Sequence, residues 1–346
     1  MRIAALAALL SLWALAPGSA QFGLVLVLDW LPNCVYGHGQ LSGHALVLVL
    51  DWLPNPNHVP IYVAQEMGFF SAEGLSVSIQ APTAFDPSDP AKLAAAGRAD
   101  LAITTPINLI VIRSQTVPLT AVGSLIQKPL GGLLALAERG IRTLKDFKGR
   151  KIGYSLEPEE PVLWAAMLET AGLKPGDYTL INVGFDTLPA LLTGQVDAIG
   201  AFRNVEKILI EVQERKETVF FPFEEHGIPD HPQLVFIANE TIAQQKSELL
   251  KRFLRAVARA VALTVQEPER AFQLFLKANP DLQREEKLNR RFFEATIAFF
   301  VGAPCHNQLE KWAKLQSFLF ERQLIARTTD LAQLVRTDLL PPECGR

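Results

Sequence analysis

Leu46-Val-Leu-Val-Leu-Asp-Trp-Leu-Pro-Asn-Pro-Asn-His58 starts as an unbroken apolar run and ends in a polar turn with two prolines. The run has the length and branching of a short buried strand, and Pro54 cannot continue a central strand because it has no N–H for the ladder. The segments on its C-terminal side decide the fold class. Pro60 to Gly68 has helical spacing with Gly68 as its stop, and Leu75 to Ile79 alternates like a strand. Asp89 to Gly97 reads as a helix, Ala99 to Ile103 as a buried strand, Ile107 to Gln115 as a helix and Leu119 to Leu125 as a strand. This alternation predicts an α/β lobe with a mainly parallel sheet.

A second alternating set predicts a second, similar lobe. Its elements are Leu133 to Ala137, Thr143 to Phe147, Lys151 to Tyr154, Pro161 to Ala171, Tyr178 to Val183, Leu188 to Thr193, Ala198 to Phe202 and Val205 to Arg215. Leu234 to Asn239 reads as one more strand, after which the chain turns helical. Ser247 to Gln266 carries one apolar stripe through Leu250, Phe253, Leu254, Val257, Val261 and Val265. Two α/β lobes and a C-terminal helical segment fit a clam-shell, with a ligand between lobes at the C-terminal ends of strands. The expected division is 1–20 as a signal peptide, 21–45 as an extra segment, 46–127 with 233–346 as one lobe and its helical tail, and 128–232 as the other. The crossings between lobes are expected near Ile126–Leu130 and Phe223–Pro232.

Leu24 to Asn33 repeats Leu46 to Asn55 without change, across a Gly- and His-containing linker. With no third copy this is no solenoid, and it reads as a recent local duplication or an artefact of the sequence. Only the second copy runs on into a helix, so it is taken as the working one. Before the first copy, Arg2, the apolar stretch Ile3 to Ala16 and the small residues Gly18 and Ala20 have the form of an export signal cut before Gln21. A soluble protein in the periplasm is expected.

Composition excludes several classes. At 49% hydrophobic and 20% charged, the chain can bury a sizeable core. Its net charge of −3 offers no basic excess for a nucleic-acid backbone. Cys34, Cys305 and Cys344 lack the spacing of a zinc or redox motif; a Cys305–Cys344 disulfide and free thiols both remain open. No Gly-x-Ser-x-Gly or His-Glu-x-x-His motif suggests a hydrolase or a metalloenzyme, so no metal and no cofactor are expected.

Asp51-Trp-Leu-Pro-Asn-Pro-Asn-His58 with Pro60-Ile-Tyr-Val-Ala-Gln-Glu-Met-Gly-Phe-Phe70 resembles the opening of substrate-binding proteins for thiamine pyrimidine precursors. These are the ThiY-like members of a group that also contains the yeast pyrimidine-precursor synthases. Lys151 to Ser155, Asn182 to Phe185, Leu192 to Ala198, Gly200 to Glu206 and Glu225 to Pro229 continue the likeness in order. It implies a type II periplasmic-binding-protein fold, a pyrimidine ligand, and the permease and ATPase of an ABC importer as partners, with the carrier itself a monomer. It also implies that Trp52 and Asn55 border the ligand and that Glu206 meets it from the other lobe. An indole offers a flat apolar face to a ring, and a carboxylate accepts from an aminopyrimidine edge, more strongly if the ring is protonated.

The full candidate ligand-binding set is Trp52, Asn55, His58, Thr104, Tyr154, Glu160, Asn204 and Glu206. Five of them have a plainer alternative: core packing for Trp52 and Tyr154, a turn for Asn55, a structural role for His58, a solvated charge for Glu206. Phe185 and Phe202 end strands of the second lobe and read as core. Between Ser155 and Pro161, Glu157, Glu159 and Glu160 would repel sulfonate, nitrate or phosphate, or else complement a helix dipole.

The synthase branch implies a lysine that holds pyridoxal phosphate, a histidine a turn later, a Gly-rich phosphate loop and a cysteine cluster. Here Thr104 falls in place of the lysine and Asn108 in place of the histidine, the loop is acidic, and no cysteine lies between Cys34 and Cys305. Without the amine there is no Schiff base, so a non-enzymatic carrier is expected. Carriers of aliphatic sulfonates, taurine or riboflavin-like rings are the alternative, because fold does not fix function.

Overall fold

The computed structural model describes residues 44–81, 90–155, 159–184, 186–305 and 308–345. The expected signal peptide, the first copy of the repeat, Cys34, Glu157 and Phe185 lie outside the described residues.

Two five-stranded sheets form the molecule. In the first, β1 (Ala45–Val49), β2 (Ser76–Gln80), β3 (Leu101–Thr104), β4 (Leu119–Ile126) and β10 (Leu234–Asn239) lie in the order β2-β1-β3-β10-β4. In the second, β5 (Gly131–Leu136), β6 (Lys151–Tyr154), β7 (Thr179–Asn182), β8 (Ala198–Phe202) and β9 (Thr218–Pro222) lie in the order β7-β6-β8-β5-β9. The apolar run that opens the fold is central: Leu48 of β1 is level with Ile79 on one side and Leu101 on the other, both parallel. A parallel strand covered on both faces must be apolar throughout. β10 runs antiparallel to β3 and β4, and β5 runs antiparallel to β8 and β9. The reversed strand of each sheet is therefore the one that has just arrived from the other. This is the two-lobed type II binding-protein fold.

One strand was not anticipated. Thr218-Val-Phe-Phe-Pro222 pairs along β5 at the edge of the second sheet, where its terminal proline is tolerated. Val205 to Arg215 is also not one regular helix, but a turn of α-helix at Glu206–Leu209 followed by a π-turn at Ile210–Glu214.

The chain passes between sheets after Ile126 and again after Pro222. Gln233, buried at the end of the second passage, accepts from the N–H of Leu130 at 2.8 Å and of Gly131 at 3.4 Å, and its own N–H donates to the carbonyl of Ile126 at 2.9 Å. Gly131 has a packing reason to lack a side chain, since a Cβ there would stand 2.2 Å from the ring of Phe223 on the second passage.

The helical tail ties the sheets together. Trp312, Leu315, Phe318 and Leu319 of the helix Leu309–Glu321 belong to one buried cluster with Ala102 and Leu109 of the first sheet's side and with Leu133, Trp164 and Phe223 of the second. Lys311 pairs with Asp230 at 2.9 Å, and Arg322 pairs with Glu169. Cys305 and Cys344 are joined in a disulfide that holds the C-terminal segment. Gly131→Ala should press on Phe223 and destabilise the fold by about 1–3 kcal/mol, the usual cost of overpacking. A urea midpoint equal to that of the parent would show instead that the two passages do not pack through this position.

Candidate functional site

The turn after β1 is closed by its own side chains. Asn55 caps the short 3-10 helix Pro56–His58: its Oδ1 accepts from the Asn57 N–H at 2.9 Å and its Nδ2 donates to the Leu53 carbonyl at 3.0 Å. The Asn55 N–H donates to His58 Nδ1 at 3.3 Å, which leaves Nε2 as the donor to Asp51 Oδ1 at 2.8 Å. His58 is fully buried with both ring nitrogens engaged, so it acts here as the keystone of the turn. Trp52 lies on the same turn and is 55% exposed, which removes core packing as its reason to be aromatic. Asn55 serves the turn, in line with its plainer alternative.

Thr104 ends β3, beside β1. Its buried hydroxyl accepts from Asn108 Nδ2 at 2.9 Å, so the two residues standing where a lysine and a histidine would be needed bond to each other.

The second sheet presents carboxylates at the same ends of its strands. Ser155, just after β6, donates through its N–H at 2.6 Å and its hydroxyl at 3.2 Å to Glu160 Oε2. Glu159 and Glu160 open the helix Glu159–Glu169, where the dipole favours negative charge. Burial nevertheless pushes Glu159 up to about 7, with the Glu160 charge as a second cause. Desolvation wins there over the dipole. Gly200 on β8 makes room for this corner: a Cβ would meet Trp164 Cζ2 at 2.5 Å and Glu160 Oε1 at 2.9 Å. Tyr154 ends β6 half-buried against the core cluster. Glu206 comes after β8, its Oε2 accepting from the Phe202 N–H at 2.7 Å. Burial raises its carboxyl above the usual range, and the backbone hydrogen bond opposes that only in part.

Asn204 joins the two sides. It is fully buried, and its Nδ2 donates to Asn57 Oδ1 and to Thr296 Oγ1, each at 2.8 Å. Its neighbour Arg203 donates its N–H to the Leu130 carbonyl at 2.9 Å and binds both carboxylate oxygens of Glu224, at 2.8 and 2.9 Å. Asp51, Asn57, Ser155, Arg203 and Thr296 escaped the sequence reading. Asn57 alone had a visible signal, as the polar residue between Pro56 and His58. Phe202, read as core of its own lobe, packs against the core cluster of the first sheet. Among the described residues no group of three His, Cys, Asp or Glu is placed to hold a metal ion.

A family model described as NMT1/THI5 like matches residues 55–271. The chain is 35% identical to a Haemophilus influenzae protein named for thiamine biosynthesis, over 92% of each chain. It is 35% identical to the formylaminopyrimidine-binding protein of Halalkalibacterium halodurans, over 72% of this chain and 69% of that one. It is 30% identical to the 4-amino-5-hydroxymethyl-2-methylpyrimidine phosphate synthase of Legionella pneumophila, over 83% of this chain and 89% of that one. The fold resembles the periplasmic aliphatic sulphonate binding protein SsuA from Escherichia coli, with a TM-score of 0.67 over 84% of this chain and 92% of that one at 18% identity. By the family match and these relatives, the chain belongs to the NMT1/THI5-like family.

Proposed function

We propose that this protein is the periplasmic substrate-binding protein of an ABC importer, and that it carries an aminopyrimidine precursor of thiamine between its lobes without acting on it chemically. The observation that carries this reading is an exposed indole, Trp52, after a strand of the first sheet, together with the half-buried carboxyls Glu159, Glu160 and Glu206 at strand ends of the second. A flat, donor-rich ring suits that pair. Its face can stack on Trp52, and its amino group or protonated ring nitrogen can donate to these carboxyls, two of which, Glu159 and Glu206, burial shifts toward the protonated form. An anion would meet carboxylate charge of its own sign. The formylaminopyrimidine-binding relative supports the same ligand class, and the disulfide suits an oxidising compartment.

A synthase role is the second reading, raised by the synthase relatives. Against it stands the Thr104–Asn108 pair, which offers no amine for a Schiff base.

Calorimetry should show binding of hydroxymethylpyrimidine or its formylamino analogue and none of an alkanesulfonate; the opposite pattern would overturn the ligand class. Trp52→Ala should weaken pyrimidine binding by roughly 1–3 kcal/mol, the scale for a base stacked on an aromatic side chain. Glu159 also makes a pH signature. With a folded pKa of about 7 against an ordinary 4.5, its contribution to stability is complete below 4.5 and is lost as pH rises through 7. Glu159→Gln should therefore gain stability relative to the parent as pH rises across that window. Melting curves of the two proteins that shift in parallel from pH 4.5 to 7 would refute this environment for Glu159.

A further inference from the structure

Trp52 and Glu206 stand on turns from different sheets, and each turn is stiffened internally. The Trp52 turn is closed by the Asn55–His58–Asp51 bonds, and the Glu206 turn by the bond from the Phe202 N–H. What links them is one carboxamide. Asn57 stands inside the first turn, with its N–H fixed on Asn55, and Asn204 stands two residues before Glu206 in the second. The Thr296 hydroxyl donates to the Phe292 carbonyl at 2.6 Å, so its lone pair faces Asn204. Both amide hydrogens of Asn204 are thereby directed, one to each acceptor.

All three residues are buried, and Asn204 Oδ1 is buried without a hydrogen-bond partner among the described residues. A leucine or an alanine would fill such a position without leaving an unpaired acceptor. The cost accepted at Oδ1 points to a use for the two donors.

We propose that Asn204 is the positioning residue that sets the two ligand-facing turns, one bearing Trp52 and the other Glu206, in register across the lobes. It does so through Asn57 and Thr296 and does not itself touch the ligand. The proposal rests on Trp52 and Glu206 being ligand contacts, and its test is arranged to separate the two ideas.

The first arm uses the ligand-free protein. Thr296→Val removes the acceptor at constant shape, and Thr296→Ser retains it. Hydrogen exchange at residues 55–58 and at residues 202–206 should accelerate together, about tenfold, in the valine variant and stay at the parent rate in the serine variant, as coupled positions sharing one bond do. Acceleration in only one turn, or uniformly along the chain, would overturn the proposal. The second arm measures hydroxymethylpyrimidine affinity. Asn204→Ala and Thr296→Val should each weaken it about tenfold, and the double variant should be no weaker than Asn204→Ala alone. Fully additive losses would overturn the shared-bond account. If the parent binds neither hydroxymethylpyrimidine nor its formylamino analogue, the proposed function fails, and the exchange arm alone decides the role of Asn204.

Discussion

The buried amide of Gln233 joins the two strands that pass between the sheets. Its side-chain oxygen holds the N–H groups of Leu130 and Gly131, while the backbone N–H of Gln233 donates to the Ile126 carbonyl. A buried N–H left without a partner costs about 1–3 kcal/mol, so the two passages are held to each other where they leave the sheets. Phe223 over Gly131 adds packing at the same place, and the bonds from Arg203 to Leu130 and Glu224 add a third link. If the lobes move against each other, these bonds place the pivot at the two passages. The reversed strands β5 and β10 obey the same constraint, since each enters its sheet straight from a passage.

The electrostatics of the site arise from burial. Three carboxyls stand at strand ends of the second sheet, and two of them are shifted upward chiefly by loss of water. Such groups satisfy themselves by keeping a proton, by accepting backbone N–H groups, or by meeting a donor from outside. Ser155 and Phe202 supply some of the donors. Under the proposed function these carboxyls would accept from amino groups and disfavour anions, whereas SsuA, which shares the fold, is a sulphonate binding protein.

Much of this was legible in the residues. The strands Lys151–Tyr154, Ala198–Phe202 and Leu234–Asn239 lie where the apolar runs put them, because short buried strands announce themselves by composition. Thr218–Pro222 was missed because its residues neither alternate nor stay clear of proline, and an edge strand needs neither. The roles of Asn204 and Thr296 were illegible for a different reason. A buried polar residue is explained by its partner, and Asn204 finds its partners 147 and 92 residues away. Trp52 was singled out from the opening motif, and its exposure speaks against the core-packing alternative.

Under the proposed function, a bound ligand closes the two lobes about the passages joined by Gln233. Small-angle X-ray scattering of the protein with and without saturating formylaminopyrimidine tests it most directly. The account predicts a smaller radius of gyration with the ligand bound. Superimposable profiles, with binding confirmed in the same samples, would contradict it.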